Sequence, residues 1–162
     1  MLVRDATRAD LPAIVDIYNH AIATTVATFD LEPFTAEQRA AWFAQFGGQH
    51  PLLVCEHAAT ILGFAYYLPY REKAAYDATK ETTIYTRHDA RRRGVADRLY
   101  GELIEHARRA GVHALIAVLG GDNPESRALH IKHGFVPVGH LHAVGRKFGA
   151  WVDTYYFEKL LG

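Results

Sequence analysis

Between Glu81 and Leu103 the sequence reads ETTIYTRHDARRRGVADRLYGEL. Glu81 to Thr86 is a β-branched run and predicts a strand. Arg87, Arg91, Arg92 and Arg93 follow in a loop. From Gly94 to Ala110, Val95, Leu99, Leu103 and Ala107 recur on one helical face, and Gly111 supplies the stop. A strand thus runs through a basic loop into a long amphipathic helix. A helix N-terminus offers unpaired N–H groups and the positive end of a dipole. Gly94 and Ala96 are small enough to let a phosphate reach the backbone, and the arginines add fork-like donors. The chemistry is that of a diphosphate cradle; a solvated basic loop closed by an ordinary glycine turn is the competing reading. GxxxxGK[ST] and GxGxxG are both absent, which excludes a Walker loop and a Rossmann fingerprint.

Outward from this segment, Leu2 to Ala6 predicts a first strand. Thr7 with Asp10 forms a capping box ahead of Leu11, Ile14, Val15, Tyr18 and Ile22 at helical spacing. Thr35 with Gln38 repeats the signal for a short helix to about Phe46, stopped at Gly47-Gly48. Leu52–Glu56 and Ile61–Leu68 predict a hairpin. Ala114–Leu119 is unbroken apolar, the pattern of a strand covered on both faces. Asn123-Pro124 opens a helix that ends at Gly134, and Phe135–Val144 and Asp153–Leu160 predict two last strands joined by a glycine-containing loop. The order β-α-α-β-β-β-α-β-α-β-β favours one α+β or mixed-sheet α/β domain over residues 1–162, rather than a regular doubly wound one.

The 162 residues suit one domain with a real core. Eighteen basic residues balance eighteen acidic ones, which argues against a protein built to coat nucleic acid or an anionic membrane. The longest apolar run has six residues, too short for a membrane helix, and the charged N-terminus lacks a signal-peptide core. Cys55 is the sole cysteine, so no intrachain disulfide exists; it reads as a core thiol, and the default location is a reducing cytoplasm.

Arg91-Arg92-Arg93-Gly94-Val95-Ala96 resembles the [RQ]-x-x-G-x-[GA] coenzyme A pyrophosphate motif of the GNAT family of N-acetyltransferases. Asn123-Pro124-Glu125-Ser126 through His130 to Gly134-Phe135 is similar to the family's second signature. Five further segments narrow the resemblance to the phosphinothricin / methionine sulfone N-acetyltransferase subfamily. These are Tyr18-Asn19-His20, Phe29 with Glu32-Pro33, Ala75-Tyr76-Asp77, Glu81-x-Thr83-x-Tyr85, and Gly145-x-Lys147-x-Gly149-x-Trp151-x-Asp153. The resemblance implies a mixed, mostly antiparallel sheet flanked by about four helices and splayed between its fourth and fifth strands. It also implies acetyl-CoA as co-substrate, a small amine as acceptor, and a homodimer.

On that resemblance Glu81 is the general base that frees the acceptor amine, against a plain strand-end carboxylate. Ile84, Tyr85 and Thr86 lie beside the acetyl and pantetheine arm. Arg91 to Ala96, with Asp97, hold the pyrophosphate, and Asn123 contacts coenzyme A or simply caps its helix. His130 stands where many members place a tyrosine that protonates the thiolate; hydrogen bonding to substrate or packing beside the sheet are the alternatives. Arg71 and Lys73 offer cations for an acidic substrate end, and Phe29 and Trp151 offer apolar walls or core packing. The pairs His130/His133 and His140/His142 have metal-like spacing, but no cysteine or acidic ligand completes a convincing set. Acyl transfer from coenzyme A needs no metal, and none is expected. Two functional classes remain: an N-acetyltransferase for a small amino-acid-like amine (or for a peptide terminus, polyamine or aminoglycoside), and a non-catalytic acyl-CoA-binding module.

Overall fold

In the computed structural model, which describes residues 1–162, the strand–loop–helix segment lies at the centre of a seven-stranded sheet. The strands are β1 (Leu2–Asp5), β2 (Leu52–His57), β3 (Thr60–Pro69), β4 (Thr79–Thr86), β5 (Ala114–Gly120), β6 (Val136–Lys147) and β7 (Ala150–Leu160). The helices are α1 (Leu11–Thr24), α2 (Ala40–Phe43), α3 (Val95–Arg109) and α4 (Pro124–Lys132). The sheet order is β1-β2-β3-β4-β5-β7-β6, and every pairing is antiparallel except β4 with β5. That parallel ladder joins only Thr79–Thr82 to Ala114–Ala117. Beyond it β4 stays with β3 and β5 stays with β7, so the sheet opens into a V between strands 4 and 5, as expected.

Each face has its own core. On one, α3 buries Val95, Leu99, Leu103 and Ala107 to 1 % exposure or less, the four positions its periodicity predicts. Full burial of a leucine contributes roughly 1.5–3 kcal/mol, so this row alone anchors the helix. On the other face, α1 packs Ile14 and Ile17 against Leu52, Val54 and Phe64, with Tyr18, Trp42, Phe46, Tyr66 and Tyr85 around them. The Thr7–Asp10 capping box forms, and the Asp10 carboxylate also takes two hydrogen bonds from Arg4, at 2.7 and 2.9 Å. No helix is long and apolar enough to cross a membrane.

Three expectations are corrected. The second helix is only Ala40–Phe43, although Thr35 and Gln38 do bond reciprocally. The residues between them follow three-residue bonds, Arg39 N–H to Ala36 C=O and Ala40 N–H to Glu37 C=O, which bring Trp42 and Phe46 onto Tyr66. Gly145–Val152 is paired strand rather than loop: β6 and β7 continue past a bulge to a tight Phe148-Gly149 turn with positive φ at both residues. Finally, β5 is not covered on both faces: Leu115, Ala117 and Leu119 are buried under α3, while Ile116 and Val118 on the α1 side are only half-buried.

Candidate functional site

That half-covered floor is where the chemistry-bearing residues gather. Glu81 pairs with Leu68 on one side and Ile116 on the other, so its side chain points to the α1 face beside Ile116 and Val118. The carboxylate is half-buried and burial raises its pKa above the usual value, with the nearby Arg71 guanidinium opposing the shift. No hydrogen bond contributes to that balance, which leaves the carboxylate free to accept a proton. Arg71 lies exposed over the ring of Tyr70, 4.5 Å from its centroid, and Lys73 is exposed at the start of the turn Ala74–Tyr76. Neither forms an ion pair within the chain, and Arg71 is close enough to act on the Glu81 carboxylate.

The segment after α1 closes the far side of the groove. Lys147, 4 % exposed, donates to the Thr28 carbonyl at 2.8 Å; burial lowers its pKa and Asp30 opposes this. Tyr85 donates to the Ala27 carbonyl, and the Tyr18 hydroxyl bonds to Thr28 and Asp30. Phe29 then lies across Gly145 and Gly120: a Cβ on Gly145 would sit 2.2 Å from the Phe29 ring, and one on Gly120 2.2 Å from the Val26 carbonyl oxygen. The glycines are there because backbone and ring approach too closely for any side chain. Trp151 is not brought beside Phe29. It pairs with Arg146, whose guanidinium covers its ring at 5.1 Å, on the opposite face of the hairpin from Gly145. Tyr66 is the site-forming residue that the sequence reading did not single out, while Tyr18 and Lys147 entered it only as parts of the Tyr18-Asn19-His20 and Gly145-x-Lys147-x-Gly149 segments, with no role given.

The V between β4 and β5 supplies a slot with open backbone groups. Arg87 N–H bonds to Leu62 C=O across β3, so the period-two alternation points the N–H and C=O groups of Ile84 and Thr86 away from β3, towards the gap. Tyr85 turns its ring to the α1 face, and Ile84 packs on the α3 core. At the slot's α3 end, Arg92 holds φ +59° and Gly94 φ +77°, a left-handed turn that aims successive N–H groups outward and leads into the first turn of α3 at Val95, Ala96 and Asp97. Arg91, Arg92 and Arg93 are exposed around it, and no atom lies within 4 Å of where a Gly94 Cβ would stand. The Asp97 carboxylate is already bonded to Lys132 and His133, at 2.7 and 3.0 Å, so it contributes its backbone N–H alone. Lys132 and His133 tie the far end of α4 to the first turn of α3, while Arg92–Glu125 at 3.5 Å brings the start of α4 beside the arginine loop. There Asn123 caps α4, its side chain accepting from Ser126 N–H at 3.1 Å. The residues present fit a coenzyme A diphosphate: two helix starts, a nest of N–H groups and the unpaired guanidinium groups of Arg91 and Arg93 converge on one end of the slot.

His130 is 3 % exposed, edge-on to Tyr100 and Phe135. Its Nδ1 lies 2.6 Å from the Ser126 carbonyl, which only accepts, so Nδ1 carries the proton and Nε2 is bare. Burial lowers its pKa, with the Ser126 hydrogen bond opposing the shift. Cys55 is fully buried and its thiol is pushed up by burial, as a core residue should be.

A family profile described as "Acetyltransferase (GNAT) family" matches residues 14–135. The chain is 38% identical over 158 residues to an L-methionine sulfoximine/L-methionine sulfone acetyltransferase of Pseudomonas paraeruginosa, covering 96% of this chain and 92% of that protein. It is likewise 38% identical to the phosphinothricin N-acetyltransferase of Streptomyces coelicolor, over 98% of this chain and 95% of that one. The fold superposes on the crystal structure of a GNAT-superfamily phosphinothricin acetyltransferase from Sinorhizobium meliloti in complex with acetyl-CoA. That match has a TM-score of 0.95 at 34% identity and covers 99% of this chain and 88% of that one.

Proposed function

The chain belongs to the GNAT family of acetyltransferases, and from that membership we propose that it moves acetyl from acetyl-CoA to the α-amino group of a small amino-acid-like substrate. The acceptor class is that of phosphinothricin, methionine sulfone and methionine sulfoximine, and residues 1–162 form one catalytic domain. The observation that carries this reading is the free, half-buried Glu81 carboxylate beside the unpaired Arg71 and the apolar floor of Ile116 and Val118.

Acetyl-CoA supplies the thioester. The Arg91–Asp97 turn and Asn123 hold its diphosphate end, and the backbone groups of Ile84 and Thr86 line its arm in the V. Arg71 and Lys73 face the acidic end of the acceptor, and Phe29, fixed through Lys147 and Tyr85, walls its side chain. Placing both reactants in adjoining grooves converts a bimolecular step into an effectively unimolecular one. Glu81 takes the ammonium proton, the neutral nitrogen attacks the thioester carbonyl directly, and the carbon–sulfur bond breaks. The proton that nitrogen sheds as the amide forms passes through water to the thiolate, because the one ring proton of His130 is committed to Ser126. His130 accordingly packs and orients α4. Trp151 on one face of the outer hairpin and Val136 and Leu141 on the other leave it with exposed apolar side chains, which supports a homodimer. The free thiol of Cys55 fits a reducing cytoplasm.

A thiol-release assay over amino acids, their sulfone, sulfoximine and phosphinate analogues, peptides, polyamines and aminoglycosides tests the assignment. Turnover concentrated in the small amino-acid analogues is expected. Release only with peptides or polyamines would overturn the substrate class, and none with any amine would favour the binding module.

A further inference from the structure

Away from the acetyl-transfer groove, on the outer hairpin, three ligating side chains converge that no part of the reaction uses. His140 and His142 leave β6 two residues apart, and Asp153 comes from β7 across the bulge; one ligand atom of each lies within 4.8 Å of the others. We propose that His140, His142 and Asp153 form a site for a divalent transition-metal ion, Zn²⁺ or a chemically similar ion, that fastens β6 to β7.

The arrangement is built rather than incidental. His140 is stacked between His142 and Tyr155, with ring centroids at 4.0 and 4.2 Å, which sets the plane of its imidazole. Its Nε2 lies 2.8 Å from Asp153 Oδ2. The other carboxylate oxygen, Oδ1, accepts from Ala143 N–H at 2.7 Å, where the backbone turns through the bulge at φ +52°. Asp153 is thereby oriented from behind, as the carboxylates of metal sites are held by a second layer of donors. The Ala143 bond accounts for an aspartate at 153, and it gives no reason for two imidazoles in front of it. No lysine or arginine pairs with Asp153, so its charge is left to the histidines. Both histidines are exposed to an incoming ion. Strand alternation puts them on the opposite side of β6 from Leu141.

Two nitrogens and one carboxylate oxygen, with an open position for water, suit Zn²⁺, Co²⁺ or Ni²⁺ and do not suit Mg²⁺ or Ca²⁺, which prefer all-oxygen shells. Metal–ligand distances of about 2.0–2.2 Å require the widest-spaced ligand atoms to close in by an ångström or more while His140 and Asp153 part slightly, movements open to exposed side chains. The ion takes no part in acyl transfer. Its effect is mechanical: the Asp153 carbonyl accepts from Gly121 N–H at 2.8 Å, so pinning this point of the hairpin also steadies the β5–α4 turn that leads to Asn123. The acidic ligand missing from the local sequence is supplied by a residue eleven positions after His142, which only the β6–β7 pairing brings near.

The test uses the full chain stripped with a chelator, titrated with Co²⁺ while its ligand-field absorption is followed, then with Zn²⁺ in competition. One equivalent of four-coordinate Co²⁺ is expected, displaced by Zn²⁺, with a melting temperature that rises with Zn²⁺ concentration. Losing a second-layer partner typically costs about 10–100-fold in metal affinity, so His142→Ala should cost at least that, and His140→Ala with His142→Ala should abolish the equivalent. Asp153→Asn, whose amide oxygen can still accept from Ala143, separates ligation from bulge geometry: weakened metal uptake with an unchanged apo melting temperature is expected. Absence of a stoichiometric site in the wild type would overturn the proposal, and so would its retention in the double-histidine variant.

Discussion

Glu81→Gln removes one proton-accepting site and changes little else, because the carboxylate holds no structural partner. General-base assistance is typically worth about 10²–10⁴ in rate, or about 3–5 kcal/mol of barrier at 1.36 kcal/mol per tenfold. A base works best with a pKa close to the working pH, and burial moves Glu81 in that direction while Arg71 opposes the shift. The full range is therefore expected for turnover at pH 7, with coenzyme A affinity unchanged. Wild-type turnover should fall as pH drops through the raised pKa of Glu81. The deficit of the variant should narrow in alkaline solution, as the acceptor amine loses its proton without help. Stability changes in the other direction. A carboxyl whose pKa is raised on folding binds its proton more tightly in the native state. Its contribution is thus greatest below the unfolded value of about 4.3 and declines as pH rises through the folded one. Glu81→Gln should consequently be at least as stable as the wild type at pH 7, which separates lost chemistry from lost fold. The assay is a pH–rate profile by thiol release for both proteins, beside thermal melts and coenzyme A titration. Near-wild-type turnover of the variant at pH 7 would refute the base assignment, and an equal loss of coenzyme A affinity would show that Glu81 shapes the slot instead.

Three further outcomes are expected. Gly94→Glu forces a side chain onto φ +77° and places negative charge at the diphosphate end, so calorimetry should show acetyl-CoA affinity falling at least tenfold, on the order of 1.4 kcal/mol, in a folded protein. Neutralising Arg71 and Lys73 together should raise KM for the acidic acceptor far more than for acetyl-CoA; equal changes would assign them a structural role. Asp10→Asn should cost on the order of 2 kcal/mol at neutral pH, because the Arg4 hydrogen bonds hold the Asp10 carboxyl down to about 2 from 3.8. Since that pKa is depressed on folding, the wild type's advantage should persist above pH 4 and vanish as pH falls towards 2, read from urea midpoints at each pH.

Much of the fold is legible along the chain because its signals are local. The α3 periodicity needs only the residues of α3, and the arginine loop, the Gly94 turn and the Asn123 cap each act within a few residues of themselves. Glu81 stands out through the resemblance of Glu81-x-Thr83-x-Tyr85 to the subfamily and not through a local signal of its own. What the sequence left open depends on counting across strands. Phe29 and Trp151 read as two walls of one pocket, yet Trp151 is on the far face, because strand position and not residue type decides the side. Gly145 and Gly149 read as loop residues, although Gly145 is a paired strand position emptied for the ring of Phe29. The shift of register between Leu141 and Gly145 carries no sequence signal of its own, and the two extra residues of β6 there reset which β7 residue each later position faces. That shift buries Lys147 against Thr28 and sets Asp153 before His140 and His142. Local propensity could therefore specify the elements and the diphosphate turn. The acceptor wall and the histidine–aspartate cluster are set by strand register, which is a property of the packed sheet and not of any one stretch of chain.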